Sequence, residues 1–491
     1  MRLSSRCRFK IRTLILISTV VAIALFLWHI DRDYQQTVAE LKRINVEFRY
    51  LEAKERYWIT STLAAIVGEE RAVPIIGIRI YTPIRTASSI VDHLKWFPYL
   101  RQLELKSVDI DLRRLPQLKR LQELRIESCL LETRDFSPLR YCSNLRTIVI
   151  DECHFRSESA FIFPRMESLE TLELNFLAIP DSGLGPLDRF PKLTSIRLLD
   201  VSYFGNQPLF AYHPQVKSVS IASEQLFNSQ LVSLTSFPSL ESLRLERVQS
   251  YDQDLQFIGK FSKLRELSVK NCPLDGSFLK HIAGNLSIER IVVSNCPISD
   301  EGLNSVPGLP SGLKSLCIVS NNLDGKGLIN LQGLSNLHVL NLKFTPIKIS
   351  LSEFPASTNL ETLILECKNM ETCDLRVLSK FPNLRELEIT NACSDIDWSS
   401  VPRLEKLQRL SIYESNLAVT SLEFLRGFPL LESLSLDGCS FHAGLIAELR
   451  MLKKLKQLSV QRTEIESQEL LELQRQLPFL INVIGSRRTP E

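Results

Sequence analysis

The sequence predicts an α/β solenoid: a curved, horseshoe-shaped stack of short coils with a parallel sheet on its concave side, preceded by one transmembrane helix and a helical stalk. Three observations carry this expectation. The pattern L-x-x-L-x-L, with aliphatic substitutions, recurs sixteen times in register between Leu100 and Val460. Residues 13–30 contain no charged group unless His29 is protonated. Outside these two features too little chain remains for a separate catalytic domain.

The chain has 491 residues, 44% hydrophobic and 23% charged, the balance of a folded protein. Its formal net charge of +3 is unevenly placed, because Arg2, Arg6, Arg8, Lys10 and Arg12 precede the apolar span with no acid among them. Removing those five leaves 54 basic and 56 acidic residues over 31–491. A near-neutral body argues against nucleic acid as a partner, since duplex binding draws on a basic face.

Residues 1–12 are therefore expected to be a basic cytoplasmic segment and residues 13–30 a transmembrane helix. Eighteen residues at a 1.5 Å rise span about 27 Å, close to the hydrocarbon thickness of a bilayer. Trp28 sits at the far end, where an interfacial aromatic is favoured. The basic flank places the N-terminus in the cytoplasm and the repeats on the periplasmic or extracellular side. The alternative, a cleaved signal peptide, lacks a small-x-small cleavage site.

Residues 31–72 are expected to form a helical stalk and N-terminal cap. They contain no Pro, and Val38, Leu41, Ile44, Phe48 and Leu51 recur every three or four residues. The seam covers about two heptads, shorter than a coiled coil needs, which favours one amphipathic helix. Residues 57–72 are expected to cover the open end of the stack.

Residues 73–485 hold about seventeen repeats, and residues 486–491 are a tail. First positions fall at Leu100, Leu121, Leu145, Leu169 and Leu193, and continue at intervals of 21 to 25 residues, mostly 24, to Leu455. Ile75-Ile78-Ile80 reads as a degenerate first turn and Leu480-Val483 as a truncated last one. In each strand, residues such as Leu103 and Leu105 point inward and Gln102, Glu104 and Lys106 outward. No repeat can bury its leucines alone, so stability sums over neighbours. The side opposite the strands needs more room per turn, so the stack is expected to curve.

These repeats resemble the leucine-rich-repeat family over about residues 73–485. The second half of the repeat adds to the likeness. Apolar triplets such as Leu255, Ile258 and Phe261, or Leu375, Leu378 and Phe381, precede the next strand. Phe-Pro recurs just before strands, at Phe97-Pro98, Phe190-Pro191, Phe237-Pro238, Phe381-Pro382 and Phe428-Pro429. NCPISDEGLNSVPGL (295–309) is similar to the cysteine-containing members, and the basic start with its apolar span resembles bacterial membrane-anchored members. The disulfide caps of eukaryotic receptors in the family are absent. Cys129, Cys153, Cys272, Cys296 and Cys439 lie three residues after the last aliphatic of a strand. The resemblance implies that this position turns the chain and bonds to loop backbone. A metal site would need more than such two-member ladders with no His beside them.

The sequence offers no reaction centre. Its seven histidines form no H-E-x-x-H, and G-x-G-x-x-G and G-x-S-x-G are absent. Asp324-Gly325-Lys326-Gly327 lacks the Ser/Thr of a phosphate loop and reads as a repeat turn. The expectation is a non-enzymatic, membrane-tethered scaffold with no cofactor or metal, binding a protein or a glycan on its concave face. The outward strand positions are the candidates. Glu104, Glu123, Arg125, Glu127, Asp151 and Glu173 make the early repeats charged, and Arg197, Arg244, Lys270 and Arg290 follow. Tyr413 is a lone aromatic among later, milder positions. Arginine and tyrosine are the types that most often dominate interfaces. The alternative is a cytoplasm-facing adaptor recruiting a substrate protein to other machinery, which the free thiols favour and the charge bias opposes.

Overall fold

A computed structural model gives the fold. It describes residues 35–485 apart from 40, 43–45, 51–74, 82–93, 116–117, 158, 320–321, 330–335, 346, 349, 355, 368–373, 392–395, 418–421, 442–447, 466 and 478. The basic segment 1–12, the span expected at 13–30, the cap expected at 57–72 and the tail 486–491 lie outside the described residues. Among the described residues no helix is long and apolar enough to cross a membrane. The chain divides into two compact units, Met1–Tyr212 and His213–Glu491.

In the first unit the strands are β1 (Val46–Tyr50), β2 (Ile75–Tyr81), β3 (Gln102–Lys106), β4 (Glu123–Glu127), β5 (Thr147–Asp151), β6 (Thr171–Asn175) and β7 (Ser195–Leu199). From β2 to β7 neighbours pair in parallel, with Ile78, Leu103, Leu124, Ile148, Leu172 and Ile196 side by side. Each of these is at most 3% exposed. The repeat therefore stacks its aliphatics into one continuous core, as the alternation in each strand requires.

The stalk expectation needs correcting. Residues 35–39 and 41–42 are helical, with Val38 and Leu41 buried, but Val46–Tyr50 is a strand antiparallel to β2. Val46, Phe48 and Tyr50 alternate with Glu47 and Arg49, and β-branched and aromatic residues favour the pleat. A strand there also satisfies the edge of β2, whose backbone groups a helix would leave unpaired. Gly77 makes room for it: a Cβ on Gly77 would lie 2.9 Å from the Cβ of Arg49.

The second unit contains β8 (Ser218–Ala222), β9 (Ser242–Glu246), β10 (Glu266–Lys270), β11 (Arg290–Ser294), β12 (Ser315–Val319) and β13 (Val339–Asn341). It continues with β14 (Thr362–Glu366), β15 (Glu386–Thr390), β16 (Arg409–Tyr413), β17 (Ser433–Ser435), β18 (Gln457–Val460) and β19 (Asn482–Gly485). All pair in parallel with their sequence neighbours.

The return segments are mostly 3₁₀ turns, as at Ser137–Tyr141, Asp252–Lys260 and Leu375–Lys380. Leu255, Ile258 and Phe261 are spaced by three, which aligns on a 3₁₀ helix and drifts on an α-helix. Short α-helices occur at Asn228–Leu231, Asp300–Asn304 and Lys326–Ile329, and a longer one at Ser467–Gln476. Each Phe of the Phe-Pro pairs is buried at the entry corner; Phe97 N–H donates to Leu94 O at 3.0 Å, and Leu100 N–H donates to Phe97 O at 3.1 Å.

Candidate functional site

In the five-residue strands the second and fourth side chains are buried and the first, third and fifth line the other face, as in Gln102–Lys106, although Val149, Ser268 and Cys317 at the third position are buried as well. The parallel register then lines these positions into rows that run across the strands. The rows of the two units differ in chemistry.

In the first unit most third and fifth positions are charged, and those charges pair with one another. Arg79 meets Glu104 at 2.7 Å and Glu47 at 3.2 Å. Glu123 accepts from Gln102 at 3.0 Å. Arg125 bridges Glu127 at 3.3 Å and Asp151 at 3.0 Å, and Lys106 also engages Glu127. Asn175 donates to Asp151 at 3.2 Å and Glu173 at 3.0 Å, and Arg197 lies 3.7 Å from Glu173. The ammonium of Lys106, bonded to Glu127, holds that carboxyl below its ordinary range. A cleft of about 340 Å³ opens beside β1, walled by Glu47, Arg49, Arg79, Glu104, Glu123 and Arg125. Its three arginines face three glutamates and already have partners.

In the second unit the third-position row reads Ser220, Arg244, Ser268, Val292, Cys317, Asn341, Ile364, Glu388, Ser411. Its middle, Val292, Cys317, Asn341 and Ile364, carries no charge over four strands. Arg244 is exposed, and its side chain, like that of Lys270, makes no hydrogen bond or ion pair among the described residues. Arg290 reaches Glu266 only at 3.8 Å. Farther along, Lys343 lies 2.5 Å from Glu388 with its ammonium 5.4 Å from the Tyr413 ring and 5.3 Å from the Phe344 ring. Such a cation–aromatic cluster with two accessible rings has the composition of an interface hot spot.

The residue that follows a strand is repeatedly left-handed. Ser107, Ser128, Glu152, Phe176 and Asp200 have φ of 46–57°, and so do Arg247, Asn271, Asn295, Phe344, Asn391, Glu414 and Arg462. This conformation swings the chain out of the strand, and the N–H then reaches the next repeat, as from Asn271 to Ser294 O at 3.0 Å. Asn and Gly suit it; a phenylalanine there is rare. Phe176 and Phe344 are nonetheless about half exposed at that position.

The cysteine position bonds to backbone, but the carbonyls it reaches in the preceding repeat belong to strands and not to loops. Cys129 Sγ donates to Leu105 O at 3.3 Å, Cys153 Sγ to Ile126 O at 3.4 Å and Cys439 Sγ to Ile412 O at 3.3 Å. Thr345 does the same with its hydroxyl to Ile318 O at 2.9 Å. The eight described cysteines are free and buried. Burial pushes the Cys272 thiol up to about 12 and that of Cys439 up to about 11. Among the described residues no group of three or more His, Cys, Asp or Glu side chains could hold a metal ion.

Two carboxylates in the second unit serve backbone instead of ligand. Asp252, 9% exposed, accepts from the N–H groups of Asp275, Gly276 and Phe278 at 2.8–3.0 Å. Asp300 accepts likewise from Asp324 and Gly325, one repeat later. Burial raises the pKa of both. At the strand-entry edge a third set of charges alternates in sign: Lys217 with Glu241 at 2.9 Å, Arg265 with Glu289 at 2.5 Å, and Arg385 with Glu361 at 3.4 Å.

Sequence reasoning assigned the outward rows from the strand period but could not separate paired from unpaired members. It also passed over Lys343, Phe344, Ile364 and Glu388. The one available signal was Phe344 itself, an aromatic where neighbouring repeats place Asn, Ser or Gly.

No protein-family model matches the chain, and no curated protein matches it. Solved structures do. The mouse RP105/MD-1 complex matches with a TM-score of 0.58 and 19% identity over 84% of this chain and 68% of that one. A plant peptide hormone receptor, RGFR1 in complex with RGF2, matches with a TM-score of 0.35 and 14% identity over 80% of this chain and 71% of that one. The chain is thus a solenoid with the leucine-rich-repeat fold.

Proposed function

We propose that this chain is a non-enzymatic, membrane-tethered scaffold that holds an extended segment of a protein partner across the strand face of its second unit. The carrying observation is the contrast in free valence. A partner laid on β3–β7 would have to displace ion pairs already made, at a desolvation cost the new contacts must exceed. On β9–β16 it would meet an unpaired Arg244, an apolar middle at Val292, Cys317 and Ile364, and the accessible rings of Phe344 and Tyr413. Seven inter-strand steps of about 4.8 Å make a path of roughly 34 Å, the length of about ten extended residues. The leucine-rich-repeat neighbours include complexes with protein or peptide partners, such as RP105 with MD-1, in keeping with this reading.

Residues 13–30 supply the tether, with the repeats on the periplasmic or extracellular side, on the charge asymmetry given above. A photo-crosslinking residue placed at Ile364 of the full chain in cells is expected to capture a protein, and one at Arg197 is not. Capture at Arg197 alone, or at neither, would overturn the strand-face reading. Sidedness needs an introduced thiol, because the described native ones are buried. Leu286→Cys, at a position 77% exposed, is expected to react with an impermeant maleimide on the outer face. Labelling only after cell lysis would favour the cytoplasm-facing adaptor.

A further inference from the structure

The partner's own chemistry can be narrowed, on the premise that the second unit's strand face is where it binds. We propose that the partner segment carries an oxyanion, a side-chain carboxylate or phosphoryl group, that is received by Arg244. The strand position that holds Arg244 also holds Arg79, Arg125 and Arg197 in the first unit, and each of those has an acidic partner within 3.7 Å. Arg244 has none. The cause is its neighbours: Ser220 and Ser268 flank it in register on β8 and β10, whereas Arg79, Arg125 and Arg197 each have a glutamate in register on one side, Glu104 or Glu173. Glu246, two residues on and equivalent to the Glu127 that binds Arg125, makes no bond to it.

The surroundings complete a receiving group for an anion. The hydroxyls of Ser220, Ser242 and Ser268 also have no hydrogen bond among the described residues. A hydroxyl can donate one proton to an oxyanion, and a guanidinium offers a planar fork that grips two oxygens at once. Arginine suits this role better than lysine because its fork is rigid and less tightly hydrated. The small floor lets an incoming acid approach the guanidinium from either side, and the adjacent Lys270 adds a second unpaired cation without an intervening ion pair. The rest of the segment then runs over the uncharged middle of the row.

The test uses the full chain in detergent and two fluorescein-labelled probes, a hexaglutamate peptide and a hexapeptide of alternating phosphoserine and alanine, read by anisotropy at low ionic strength. At least one probe is expected to bind saturably. Arg244→Gln is expected to weaken that binding by about tenfold or more, while Arg197→Gln and Arg290→Gln change it by less than about twofold. Arg244 is exposed, so the variant is expected to melt with the wild-type chain. The probe that binds more tightly in an Arg244-dependent way identifies carboxylate or phosphoryl as the source. No saturable binding of either probe, or equal losses in all three variants, overturns the proposal. Crosslinking at Ile364 that persists in such a case would leave the scaffold reading standing and remove only the oxyanion site; loss of both would remove the two together.

Discussion

The two units build the same strand and dress it differently. In the first, Arg125 sits among Glu127, Asp151 and Lys106, so the outward face is a lattice of charges that satisfy one another. In the second, Arg244 occupies the same strand position among serines and is left open. The contrast continues away from the strands. A loop of the first unit is held by a buried cation, Arg134, which donates to Ser159 O and Ala178 O and stacks on Phe155 and Phe161. Loops of the second unit are held by anions, the buried Asp252 and the partly buried Asp300, each cradled by backbone N–H groups. The same backbone repeat therefore constrains core and turn geometry while leaving surface charge free to vary between its copies. A face whose charges are already paired stabilises itself; a face with unpaired groups is available to a partner.

The core is where the units should behave alike, and the largest effects belong there. Leu124→Ala in the first unit and Leu267→Ala in the second each truncate a fully buried side chain. Each is expected to lose about 2–5 kcal/mol, read by urea denaturation. Because repeats lean only on neighbours, hydrogen exchange should accelerate most in the strands flanking the change. Uniform acceleration throughout the chain would instead show one cooperative block.

The buried ions should separate the units next. Asp252→Ala strands three N–H groups, and a loss of about 2–4 kcal/mol is expected, with faster exchange at Asp275, Gly276 and Phe278. Unchanged exchange there would mean that water replaces the carboxylate without cost.

Acid should act on the first unit. The folded pKa of Glu127 is depressed below its ordinary 4.5, so its contribution is present above that value and is lost as pH falls through the folded one. Amides of β3–β5 are expected to lose protection below about pH 4.5 and to keep it in Glu127→Gln, which has no such transition to undergo. A profile for β17–β18 that falls in parallel would erase the distinction.

The smallest effect concerns Phe344. Its left-handed conformation costs an L-residue roughly 1 kcal/mol, so Phe344→Gly should change stability by less than about 1 kcal/mol in either direction. Partner capture at Ile364 should nevertheless fall if the exposed ring is part of the surface. Phe176→Gly, the equivalent change in the first unit, should leave capture intact.

Much of this was legible in the sequence. The L-x-x-L-x-L spacing determined the parallel stack and the inward and outward faces, because both follow from the two-residue period of a strand repeated every 24 residues or so; that the cysteine position bonds to backbone was implied only by the family resemblance. The three-residue spacing of Leu255, Ile258 and Phe261 even carried the 3₁₀ return. Two things escaped. Val38, Leu41, Ile44 and Phe48 fit a helical period, yet Val46–Tyr50 became a strand because the edge of β2 offered it hydrogen bonds. And nothing local to Arg125 or Arg244 distinguishes them.

The sequence by itself determined the repeat, its core and the rows of side chains it would display. Only the tertiary structure decided which of those side chains are spoken for. The reason is that backbone period is a local property, readable along the chain, whereas an ion pair on this sheet joins residues about 24 positions apart, and whether it closes depends on a few tenths of a nanometre that no spacing rule encodes.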